Sequence, residues 1–132
     1  MTVDDVSGAL ALWRSCDGIG LNEGDSLDEL AGFLGRNPGL SFVAVAGDKT
    51  VGAVLAGHAG RRGFLYHLAV DGGSRRQGLG KKLAQAALDA LRRAGIVKAH
   101  VMVFRTNQVG SAFWSAFEWR RRDDIELFTG VL

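Results

Sequence analysis

Cysteine is nearly absent. Cys16 is the only one in 132 residues, so no intrachain disulfide can form and no Cys-rich metal site exists. It reads as a small apolar residue on a helix face. Long apolar runs are missing as well. The longest fall far short of the roughly 20 residues that a membrane-spanning helix needs, which sets a membrane role aside. Basic residues are lacking at the start: "MTVDDVSGAL" carries acids where a secretory leader carries positive charge. No export is expected, and the cytoplasm is the expected location. Net charge is small, +2 at pH 7, too little by itself to argue for a nucleic-acid partner, so the placement of charge matters more than its sum.

What is present fits one domain over 1–132, with 47% apolar residues and enough chain to bury a real core. Residues 5–16 put Val6, Ala9, Leu10 and Trp13 on one helical stripe, behind Asp4 or Asp5 as N-cap. A Gly-rich loop follows at 17–25. Ser26 is placed to cap a second helix, with Leu27, Leu30, Ala31 and Leu34 inward and Glu29 closing a capping box. "NPG" (37–39) ends it. The period then changes to strand. "SFVAVA" and "VGAVLAGH" flank the turn "GDKT" (47–50), and "FLYHLAV" (64–70) is a third strand after "GRRG". These short apolar runs predict buried strands. A helix is predicted over 79–94 with Gly95 at its C-terminal cap, then a strand at 97–104, a short helix at 108–117 and a last strand, "IELFTGVL" (125–132). The pattern is a mixed α/β domain on one central sheet.

Between the third strand and the long helix lies "VDGGSRRQGLGKKL" (70–83), with four glycines and four cationic side chains. A helix N-terminus offers unpaired N–H groups and partial positive charge. Glycine lets a phosphate approach that backbone closely. Two familiar phosphate motifs fail here. Gly73 and Gly78 have the Walker spacing but Leu79 follows where lysine is required, and the dinucleotide fingerprint meets Leu83 at its third glycine.

The wider segment "HLAVDGGSRRQGLGKKL" resembles the signature of the GNAT superfamily of N-acetyltransferases. That family has an apolar strand ending in Leu-x-Val, a four-residue turn and [Q/R]-x-x-G-x-[G/A] opening a helix. Those positions are Leu68, Val70, Arg75, Gly78 and Gly80 here. The order of the remaining elements, with Asn107 opening the short helix, matches most of the chain. The resemblance implies a mixed central sheet flanked by helices, with a V-shaped splay between the strands at 64–70 and 97–104. It implies acetyl-CoA as cosubstrate, and no metal. The backbone of Arg75, Arg76, Gln77, Gly78, Leu79, Gly80 and Lys81 would hold its pyrophosphate. The main chain of Leu68, Ala69 and Val70 would pair with the pantetheine arm, and the Val70 N–H would polarise the thioester carbonyl. Asn107 would reach the pantetheine, or serve as a plain N-cap.

The chain departs from that pattern in three places. The family's tyrosine, general acid to the leaving thiolate, is Trp114, whose indole N–H supplies no proton; Trp114 is left to pack on the cofactor or in the core. Glu118 and Trp119 stand where the family has Gly-Phe. The strand that often precedes the first helix is missing or very short, which leaves a sheet edge open and makes a homodimer an expectation. The general base stays open among His67, Tyr66 and Glu23. Histidine is suited to the task by type, and strand alternation lets only one of Tyr66 and His67 face the substrate. The function implied is acetyl transfer to a primary amine, small molecule or protein, by direct attack in a ternary complex. The alternative is a non-catalytic acyl-CoA-binding or regulatory module of the same fold. A nucleic-acid role for "RRQGLGKK" and "RRR" (120–122) finds no motif to organise it.

Overall fold

The computed structural model describes all 132 residues, in two compact units, Met1–Met102 and Val103–Leu132. The first unit holds helices α1 (Val6–Ser15) and α2 (Leu27–Arg36), strands β1 (Phe42–Ala46), β2 (Lys49–His58) and β3 (Gly63–Val70), helix α3 (Leu79–Arg93) and strand β4 (Ala99–Val101). The sheet order is β1-β2-β3-β4, antiparallel except for the parallel pair β3–β4. No strand precedes α1, only a 3₁₀ turn at Val3–Asp5. No helix is long and apolar enough to cross a membrane.

Helices α1 and α2 cover one face of the sheet. Val6, Ala9, Leu10 and Trp13 form the inward stripe of α1 and pack with Leu30, Leu34, Ala53, Leu55 and Ala69. Helix α3 covers the other face, burying Leu83, Ala87, Leu88 and Leu91. It lies so close that a Cβ on Gly52 of β2 would stand 2.7 Å from Leu83 Cδ1, so the absent side chain sets the helix–sheet distance. Being covered on both faces, β2 is the apolar run buried along most of its length; β1, at the edge, ends exposed. The end of α3 is a Schellman motif: Gly95 N donates to Arg92 O at 2.9 Å and Ile96 N to Leu91 O at 3.0 Å.

Several expectations change. Leu27 is 56% exposed rather than inward; as the first helical residue it precedes the turn that meets the core. The capping box at Ser26 is half made, Ser26 Oγ accepting from Glu29 N without the reciprocal bond. The hairpin turn shortens to Gly47-Asp48, since Ala46 already pairs with Lys49. The strand expected at 97–104 shrinks to Ala99–Val101, because only Gly63, Phe64 and Leu65 of β3 pair with it. No strand forms over 125–132. Apolar alternation supplies faces, but a strand also needs a backbone neighbour, and these residues lie exposed, Phe128 at 87%.

In the second unit, α4 (Gln108–Ala116) starts at Asn107, whose Oδ1 accepts from Gly110 N at 2.9 Å. It ends in another Schellman motif, with Glu118 N donating to Ser115 O and Trp119 N to Trp114 O. Trp114 and Trp119 pack against each other, centroids 4.8 Å apart and planes tilted by 37°, as the apolar contact that accompanies such ends.

Candidate functional site

The parallel pairing of β3 with β4 stops at Leu65 and Val101, yet β3 runs on to Val70. From Tyr66 onward its β4-side edge has no strand beside it, which is the V-shaped splay. Asp71 N donates to Val51 O on the β2 side. Alternation then turns the N–H and C=O of Val70 the other way, toward the open edge. The carbonyl is taken there by Arg75 Nε at 3.0 Å, with Cys16 Sγ at 3.9 Å. Cys16, remote from the signature in sequence, thus sits against the end of its strand and packs on the α1–α2 core cluster.

Beyond Val70 a short 3₁₀ turn, Gly72–Ser74, is capped by Asp71, and the chain enters α3 through Arg76 at φ 64° and Gly78 at φ 74°. None of the backbone N–H groups from Arg75 to Lys81 has a protein acceptor; the first to bond is Lys82 N, to Gly78 O at 3.1 Å. Open space surrounds the point where a Cβ on Gly78 would stand. Arg75, Arg76, Gln77, Gly78 and Lys81 are exposed, with Leu79 and Gly80 partly so. Such a run of free donors at a helix start, among cationic side chains, is suited to a diphosphate.

On the α1–α2 side, β3 carries a bulge. Ala53 pairs with Ala69 but Leu55 with Tyr66, so one residue of β2 faces two of β3. His67 sits there with φ 52°, a left-handed conformation rare outside glycine, though histidine adopts it more than most. The bulge breaks the alternation expected for Tyr66 and His67, and both side chains turn to the same layer. Tyr66 meets Phe33 of α2 edge-on at 6.1 Å and stacks on Phe64 at 6.0 Å. His67 packs against Trp13 of α1 at 5.2 Å, and its Nε2 meets Asp25 Oδ1 at 2.8 Å.

The three base candidates part company. Burial pushes the Tyr66 phenol above its ordinary value, so it keeps its proton near neutral pH. Glu23 is exposed and makes no side-chain hydrogen bond. His67 is the candidate held by a partner, and that partner, Asp25, belongs to the same loop as Glu23. The sequence does carry a sign of it: Asn22 and Asp25 form a capping box around the 3₁₀ turn Glu23–Asp25, which fixes the carboxylate in place. A cavity of about 260 Å³ next to Tyr66 is lined by Phe33, Asn37, Gly57, His58, Ala59 and Phe64. His58 serves structure, its Nδ1 accepting from Gly60 N at 2.9 Å. No group of three or more His, Cys, Asp or Glu comes together to hold a metal ion.

In the second unit Asn107 is the N-cap of α4, and its Nδ2 makes no protein hydrogen bond. Trp114 is buried among Phe113, Phe117 and Trp119. Arg121 pairs with Asp123 and Arg122 with Asp124. Arg122 holds the Asp124 carboxyl down at about 2, so much of the "RRR" charge is spent on its neighbours.

A signature strand that parts from its neighbour, followed by a donor-lined turn into a helix, is now in view, and the model of the acetyltransferase (GNAT) family matches residues 9–118. The chain belongs to this family. N-alpha-acetyltransferase 30 of Schizosaccharomyces pombe is 35% identical over 91 residues, which is 65% of this chain and 59% of that one. This chain therefore spans less than two thirds of the relative's length. Among solved structures, the fold is similar to PaiA N-acetyltransferase from Thermoplasma acidophilum in complex with coenzyme A. The TM-score is 0.76 at 20% identity, covering 89% of this chain and 84% of that one. An aminoglycoside acetyltransferase from an uncultured soil metagenomic sample, in complex with sisomicin, gives 0.77 at 20% identity over 100% and 93%. At these identities the likeness is one of fold.

Proposed function

We propose that residues 1–132 act as a single domain that moves an acetyl group from acetyl-CoA to a primary amine, by direct attack in a ternary complex. The observation that carries this reading is the open edge of β3 from Tyr66 to Val70, continuous with the unbonded N–H groups from Arg75 to Lys81. The N–H groups suit the diphosphate, and the main chain of Leu68, Ala69 and Val70 suits a pantetheine arm lying along it as an added strand. The Val70 N–H, aimed at the open edge, would polarise the thioester carbonyl. In the same reading His67 takes the proton from the amine.

The acceptor is an amine of the kind named for the relatives, a protein N-terminus or an aminoglycoside, or a small polyamine. The exposed Glu23 would favour a cationic acceptor. A second copy of the chain is the partner proposed for the exposed apolar residues of 125–132, of which Phe128 is the largest. Sedimentation at rising concentration reads that directly.

The test is thiol release from acetyl-CoA against a panel of amines: a peptide with a free N-terminus, an aminoglycoside, spermidine and single amino acids. Thiol and acetylated amine should appear in equal amounts with one class. One observation favours a second reading, a non-catalytic acyl-CoA-binding module: a buried tryptophan occupies the position of the family's proton-donating tyrosine. Tight CoA binding with no thiol release from any amine would establish that module instead.

A further inference from the structure

We propose that Asp25 is a positioning residue. It fixes the protonation of the His67 ring so that Nδ1, and not Nε2, receives the proton of the acceptor amine. This rests on the acetyl-transfer reading above.

An ionised carboxylate only accepts hydrogen bonds. Its contact with Nε2 at 2.8 Å therefore puts a hydrogen on Nε2, and in the neutral ring the lone pair is on Nδ1. Nδ1 has no protein partner, and it is not among the buried polar atoms sealed from solvent. The one such orphan is the indole Nε1 of Trp13, whose ring lies against His67. The fold thus presents one imidazole nitrogen to the outside and anchors the other.

The anchor is rigid. Asp25 Oδ2 accepts from Asn22 N at 2.8 Å while Oδ1 serves His67, so both carboxylate oxygens are committed. The side chains of His67 and Asp25 are only 14% and 8% exposed, where an ion pair is screened little. The positive φ of His67 points the same way. A left-handed non-glycine residue is strained and persists only when its surroundings hold it. Here the ring is held by Trp13 on one side and Asp25 on the other. Other ionisable groups nearby are turned elsewhere: Glu23 and Arg14 are exposed, Cys16 Sγ points to Val70 O, and Tyr66 packs on Phe33 and Phe64.

Two protons must leave the nitrogen when an ammonium group becomes an amide. Nδ1 takes the first. The freed lone pair forms the C–N bond to the acetyl carbon, and the C–S bond breaks with its electron pair on sulfur. The second proton goes to the thiolate or to water, and His67 returns its own to solvent. Asp25 keeps its contact with Nε2 throughout and stabilises the transient imidazolium, as the carboxylate does in a Ser-His-Asp triad.

The experiment compares the parent, Asp25→Asn, His67→Gln and the double variant, with CoA binding by thermal shift as the control for fold. The imidazole nitrogen resonances of the parent should show Nε2 protonated and Nδ1 bare in the neutral form. Asp25→Asn should lower kcat/KM by up to the roughly 10²–10⁴-fold that a positioned general base supplies, and the imidazole of the variant should no longer be held in the Nε2–H form. In the His67→Gln background the same change should cost nothing more, because Asp25 acts only through the ring. An active parent whose neutral ring is protonated on Nδ1, or in which Asp25→Asn costs as much in the His67→Gln background as alone, overturns the proposal alone. A parent that binds CoA, shows the Nε2–H form and releases no thiol overturns the base role and the acetyl-transfer reading together.

Discussion

Tyr66 is the only tyrosine in the chain, so phenolate absorbance reads it alone. Burial raises its pKa above the ordinary 10.0. The midpoint of an absorbance titration should therefore lie above that value in the native protein and return toward 10 in denaturant. The sign for stability follows. Folding favours the protonated phenol, so Tyr66 leaves stability unchanged below about pH 10 and lowers it as pH climbs from there through the folded midpoint. A native midpoint at or below 10 would show that the ring is better solvated than its packing on Phe33 and Phe64 implies. The sequence reveals less at this scale. His67 was legible as a chemical type, but its neighbour Asp25 was not, because a pairing across 42 positions depends on a bulge that has no glycine to announce it. The same bulge defeats the period-2 rule for Tyr66 and His67, since that rule presumes an unbroken ladder.

Helix ends tell a clearer story. The family's Gly-Phe pair is replaced by Glu118 and Trp119, and the structure shows what the glycine would do there. Glu118 takes φ 63° at the residue after the α4 cap, and Trp119 closes the motif on Trp114. Glu118 is exposed, so its side chain gives little in return for the strain. Glu118→Gly should then raise stability by about 1 kcal/mol, part of the left-handed penalty being offset by the greater entropy of an unfolded glycine. The midpoint in thermal unfolding should rise by a few degrees, and a fall would mean that the carboxylate makes a contact worth more than the strain. Elements with their own periodicity, such as α1, α3 and β2, were legible from the pattern alone. Elements defined by a neighbour were not. Strand β4 is as long as its pairing with β3 allows, and 125–132, equally apolar, forms no strand at all.

For the chain as a whole, the order of elements from α1 to α4 was readable, and at its centre strand, turn, glycines and helix had to occur together. What the order leaves open is whether the cradle binds its ligand tightly, and binding energy is a property of the whole folding equilibrium. A ligand that binds only the native state, present at 100 times its dissociation constant, adds about 2.7 kcal/mol. For a chain of this size that is a rise of roughly 10 °C in the unfolding midpoint. CoA and acetyl-CoA should both produce it, whichever of the two functional readings holds, since in both the donors from Arg75 to Lys81 would meet the diphosphate and not the acetyl group. Gly78→Asp places a negative charge in the cradle; a Cβ there meets no protein atom, and the φ of 74° strains the new side chain by roughly 1 kcal/mol. The variant should fold, as judged by circular dichroism, and lose the shift altogether. Lys82→Ala should keep most of it, because one exposed lysine contributes about 1 kcal/mol or less. A parent midpoint unmoved by millimolar CoA but raised by ATP would mean that the cradle serves another phosphate. Equal shifts in the parent and Gly78→Asp would mean that CoA binds elsewhere on the chain.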